Sequence, residues 1–73
     1  MMPSRVTPGL VAWQAYGVTV YANLDSGTVT VEGASGMGLA AAGWLHEAIW
    51  AATAWIALRG RLAQDASRRR RPR

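Results

Sequence analysis

The clearest pattern in the chain is alternation, a turn, and alternation again. Residues 18–32 read VTVYANL, DSG and TVTVE, with apolar positions at every second residue on both sides of turn-forming residues. That arrangement predicts a β-hairpin. Val18, Val20, Ala22 and Leu24 share a face with Val29 and Val31, while Thr19, Tyr21, Asn23, Thr28, Thr30 and Glu32 share the other. The register expected is Leu24 opposite Val29, Ala22 opposite Val31 and Val20 opposite Gly33, because a one-residue slip would mix the faces. The connection is then a tight Ser26-Gly27 turn or a four-residue Asp25–Thr28 loop.

Upstream, LVAWQAY over residues 10–16 is apolar enough for a strand, with Val11, Trp13 and Ala15 on one face. Gly17 interrupts the alternation. Either a bulge there joins the two apolar sets, or the chain breaks into separate pieces. Residues 1–9 read as a flexible arm ending in the Pro8-Gly9 turn signal.

Downstream the period changes from two to 3.6. From about Met37 to Gln64, Met37, Ala41, Trp44, Leu45, Ala48, Ile49, Ala52, Trp55, Ile56 and Leu62 gather on one side of a helix. His46, Trp50, Thr53, Arg61 and Gln64 fall on the other. Arg59 is the exception, lying inside the apolar sector. Residues 33–38, GASGMG, form the joint before the helix, with Ser35 as its candidate N-cap. Gly60 marks a weak point or early stop. Asp65 has Arg61, Arg68 and Arg69 at helical spacing.

The fold class that follows is α+β: a β-hairpin, with or without an extra N-terminal strand, followed by one long amphipathic helix, ββα. The domain spans residues 10–66, between the arm at 1–9 and an Arg-rich tail at 67–73 expected to be disordered.

Composition then narrows the function. A chain of 73 residues buries a thin core, and with no cysteine it has no disulfide to reinforce it. Four tryptophans are more than a monomer of this size hides easily, so a homodimer is expected. Trp44, Ala48, Trp55 and Ile56 are the candidate oligomer seam, with alanines permitting close approach. All eight basic residues are arginine, a pattern of GC-rich coding such as that of an actinobacterium or a phage infecting one. Residues 1–5 carry no apolar run of a secretory signal, which points to a cytoplasmic location.

Residues 39–58 have the length of a membrane span and are followed by arginines. Their leucines and isoleucines offer roughly −2 to −3 kcal/mol on the insertion scale, and Glu47 costs about as much. The hairpin supplies the apolar surface a soluble helix needs. A soluble helix is therefore the reading adopted, with a helix in or on the bilayer as an alternative.

Catalytic and metal chemistry find little support. His46-Glu47 begins like the HExxH zinc motif, but Trp50 stands where the second histidine must be. The glycines between strand and helix lack the spacing of a dinucleotide or P-loop cradle. The four carboxylates form no evident pair, and no triad is apparent. No enzyme, cofactor or metal is expected. Trp50, with His46, Arg61 and Tyr21, is the candidate surface for a protein partner. Arg68, Arg69, Arg70, Arg71 and Arg73 are the candidate contacts to nucleic acid or an acidic surface. The expectation is a non-enzymatic binding module that self-associates, engages a protein, and adds affinity through its tail. The alternatives are an assembly subunit whose helix serves oligomerisation and a small membrane-associated protein.

Overall fold

Alternating residues in the first half of the chain pair into a sheet, and the 3.6-period segment lies across it as one helix. The computed structural model describes residues 1–69. Four strands, β1 (Ser4–Thr7), β2 (Leu10–Ala15), β3 (Val18–Asn23) and β4 (Thr28–Glu32), form an antiparallel meander in that order. Helix α1 (Leu39–Arg69) follows. The α+β class and the hairpin-then-helix order are as expected, with two strands in front of the hairpin.

Gly17 is a turn and not a bulge. Tyr16 and Gly17 have φ of 55° and 73°, and Ala15 pairs with Val18 across them. Two left-handed residues in a two-residue loop match the right-handed twist of the flanking strands. The turn reverses the chain, so Val11 meets Ala22 and Trp13 meets Val20 on one face.

The β3–β4 register differs from expectation by two residues. Ala22 faces Val29, Val20 faces Val31, and Asn23 faces Thr28. A shift of two preserves both faces, so the hydrophobic pattern cannot detect it. The loop decides it. Asn23 Oδ1 accepts from the backbone N–H of Asp25 and of Ser26, each at 3.0 Å, and the Gly27 N–H donates to Asn23 O at 2.9 Å. Gly27, at φ 74°, closes this Asn-nucleated loop. Leu24 is thereby released from pairing, turns into the core, and donates its N–H to Gly9 O at 2.8 Å.

Residues 4–7 of the expected flexible arm form strand β1. Their sequence, SRVT, lacks apolar alternation, so their order comes from the ladder with β2. Arg5 also lies over the Trp55 ring, its Cζ 6.0 Å from the centroid.

The helix starts two residues later than expected, with Gly38 and not Ser35 as its cap: Ala42 N–H donates to Gly38 O at 3.0 Å. It runs through Gly60 without a stop and continues to Arg69, so residues 67–69 are helical. Alanine-rich sequence carries it, and two arginines in the last turn complement the helix dipole. Ala48 and Ala52 pack without exposure against Val11, Trp13, Val20, Ala22 and Leu24, flanked by Trp44, Leu45, Ala51, Trp55 and Ile56. Alanines let the helix approach the sheet closely, and the tryptophans fill its flank: Trp13 and Trp55 meet edge to face at 6.3 Å. No helix among the described residues is long and apolar enough to cross a membrane.

Candidate functional site

Helix α1 is longer than the sheet that supports it. Thirty-one residues at about 1.5 Å each span about 46 Å, whereas a six-residue strand spans about 20 Å. The molecule is accordingly elongated, 56 Å by 20 Å by 18 Å. From Ala57 to Arg69 every residue is exposed. This stretch is a helical arm beyond the sheet, and it concentrates the charge: Arg59, Arg61, Arg68 and Arg69 against the single carboxylate Asp65.

The four arginines do not have the same role. Arg59 sits on the helix side that faces the sheet, one turn beyond Trp55. Its Nη2 donates to Asp25 Oδ1 at 3.1 Å, and its Nη1 to Pro8 O at 3.4 Å. It ties the helix to the β1–β2 and β3–β4 turns where the arm leaves the sheet. This is the chemistry behind the one basic residue in the apolar sector. Arg61, Arg68 and Arg69 form no salt bridge among the described residues, where the Arg59–Asp25 pair is the sole one. Asp65 makes none with the arginines at helical spacing. Leu58 and Leu62 extend the sheet-facing stripe into the arm, each more than half exposed.

Of the expected partner surface, two residues come together. Trp50 Nε1 donates to His46 Nε2 at 3.0 Å, with the rings at 6.3 Å. The bond requires a neutral imidazole with its proton on Nδ1. Trp50 is 67% exposed on the helix side away from the sheet. Arg61 lies on that side too, eleven residues and about 16 Å further along the axis. Tyr21 is elsewhere: it lies on the outer face of the sheet, between Ala12 and Thr30.

The expected oligomer seam has an intramolecular occupant. Ala48 is fully buried, and Trp44, Trp55 and Ile56 pack around it on the protein's own sheet. Trp44 also meets Tyr16 of the β2–β3 turn at 6.4 Å. Of the tail candidates, Arg68 and Arg69 form the last helical turn, and Arg70, Arg71 and Arg73 lie outside the described residues. No group of three or more metal-ligating side chains occurs among the described residues. Leu58 and the Arg59 clamp are the features that sequence reasoning passed over; the misplaced charge of Arg59 was the signal that could have found the clamp. The chain matches no protein-family model, no curated protein and no solved structure.

Proposed function

We infer that this chain is a non-enzymatic binding module that presents a basic helical arm to an anionic partner. The observation that carries the reading is the arm itself. The helix meets the sheet and its turns only as far as Arg59, yet it continues to Arg69 with Arg61, Arg68 and Arg69 in no salt bridge among the described residues. A helix segment without tertiary contacts gains nothing from the core, so what it displays matters. It displays positive charge, and the sequence adds Arg70, Arg71 and Arg73 directly after it.

Such charge favours a partner with regularly spaced anions, a nucleic-acid backbone or an acidic protein surface. It also works against pairing of two arms, since like charges would be brought into register. Retention of the full chain on duplex DNA and on an acidic protein column, across a salt series, tests the reading. Binding that weakens with salt and is lost in Arg61→Glu/Arg68→Glu supports it, and the stronger column names the partner class. Absence of salt-sensitive binding to either column sinks it.

A further inference from the structure

The two edges of the sheet are unlike each other. Strand β1 is blunted in the ways that prevent edge-to-edge pairing: Pro3 and Pro8 flank it, and its ladder is irregular between Arg5 and Thr7. Strand β4 has none of these devices. It is a regular run, Thr28-Val29-Thr30-Val31-Glu32, without proline, bulge or basic residue, and its outer edge is unpaired in the meander.

An uncovered apolar strip lies beside that edge. The helix rests chiefly over β3, leaving Val29 36% exposed and Val31 half-buried. The helix flank on the β4 side is fixed by Ile56, whose Cγ2 lies by Gly27 of the β3–β4 loop, while Trp55 lies towards Arg5 of β1. Ile49 and Leu45 share the Ile56 flank at seven- and eleven-residue spacing. Ile49 is exposed at 38%. Val29, Val31, Leu45, Ile49 and Ile56 thus form one apolar strip, continuous with the core and open along the β4 edge.

We propose that β4 is the interface at which a second copy of this chain docks, continuing the sheet across a two-fold axis through Thr30. The strand is self-complementary in that register. With Thr30 opposite Thr30 of the partner subunit, Val29 meets the partner's Val31 on the helix-covered face. On the other face, Thr28 meets the partner's Glu32. The two glutamates stay apart, and every apolar residue of the strand finds an apolar neighbour. The axis is perpendicular to the sheet, so both helices lie on the same face with their Ile49 flanks towards each other.

The helix begins near the Tyr16-Gly17 end of the sheet and leaves at the Asp25 end, so the dimer projects its arms in opposite directions. Their like charges are kept apart, and the assembly offers two basic arms to one extended partner.

The test is light scattering of the full chain at about 0.5 mM, with charge variants at the axis. Thr30 is exposed on the open face, so Thr30→Lys and Thr30→Glu leave the core untouched, which circular dichroism verifies. Each variant alone weakens the dimer about fivefold or more, because like charges meet across the axis. Mixing the two restores association as a heterodimer. Thr28→Arg, opposite the partner's Glu32, tightens the dimer and serves as an independent variant. A monomeric wild type at that concentration overturns the proposal. So does a dimer indifferent to all three substitutions.

Discussion

Arg59 and Asp25, thirty-four positions apart, are joined by a 3.1 Å ion pair at the point where the helix leaves the sheet. Gly9 completes the junction. A Cβ on Gly9 would run into the Asp25 carboxylate, so glycine at this turn is what lets Asp25 reach Arg59. The pair is well exposed, at 45% and 70% of the two side chains, so solvent screening keeps its contribution small.

Arg59→Ala is therefore expected to cost no more than about 1 kcal/mol in denaturant unfolding. Gly9→Ala is expected to act largely through the same pair, by pushing Asp25 off its partner. The double variant Gly9→Ala/Arg59→Ala should then cost clearly less than the two single changes added together. Additive costs would mean that Gly9 serves the backbone of the turn and not the ion pair.

Trp13 gives a prediction that separates two substitutions by the size of their effect. It is 2% exposed, and its indole N–H finds no acceptor among the described residues. An unpaired buried donor costs about 1–3 kcal/mol. Trp13→Phe removes that donor, keeps an aromatic ring against Trp55, and loses some buried area, so stability should stay within about 1–2 kcal/mol of wild type. Trp13→Ala should cost about 3–5 kcal/mol. For a domain of this size that is a large share of the total stability, roughly 4–11 kcal/mol. Thermal unfolding of the two variants separates them: equal losses would show that the site depends on the indole itself, and that the ring volume kept by phenylalanine does not preserve it.

The hydrophobic period made the faces of the sheet and helix legible, because Val18, Val20, Ala22 and Ala48 are positioned by burial alone. It could not reveal what burial leaves undetermined. The hairpin register moved by two residues because Asn23 caps its own loop, a polar, local effect that leaves the apolar faces unchanged. Strand β1 escaped notice because its residues are exposed and its order is borrowed from β2. The length of the arm was likewise invisible: Leu58 and Leu62 continue the periodicity, and nothing in periodicity says where the supporting sheet ends. Within the candidate site, Trp50 and His46 were legible from their shared helix side, whereas the attachment of Arg59 needed the fold.

Two glycines with nearly the same φ should respond differently to alanine. Gly33 and Gly36 have φ of 76° and 72°, so a side chain on either bears the left-handed penalty of about 1–2 kcal/mol. At Gly36 nothing among the described residues, chain neighbours aside, lies within 4 Å of the added Cβ. At Gly33 the Cβ would meet the Gly17 carbonyl oxygen, which is backbone of the β2–β3 turn and has little room to retreat. Gly33→Ala should therefore lower the unfolding midpoint more than Gly36→Ala. An equal effect would show that the turn yields and that conformation alone sets the cost.

Gly60 offers a way to change the arm without changing its charge. It lies inside α1, exposed, and among the described residues nothing outside the helix's own backbone lies within 4 Å of an added Cβ, so alanine there meets no steric objection. Beyond Arg59 the helix has no sheet or turn to lean on, and its order rests on propensity and on continuity with the packed turns. Gly60→Ala should stabilise the arm by about 0.8–1 kcal/mol, read as slower amide exchange over residues 57–69 and as higher helicity. The sign of its effect on binding is then informative. An anionic partner that engages Arg61, Arg68 and Arg69 as a helical array should bind more tightly to Gly60→Ala at constant charge, with an unchanged salt slope. If affinity is unchanged while the arm is measurably more ordered, the arginines act as unstructured charge and the geometry of the arm is irrelevant to recognition.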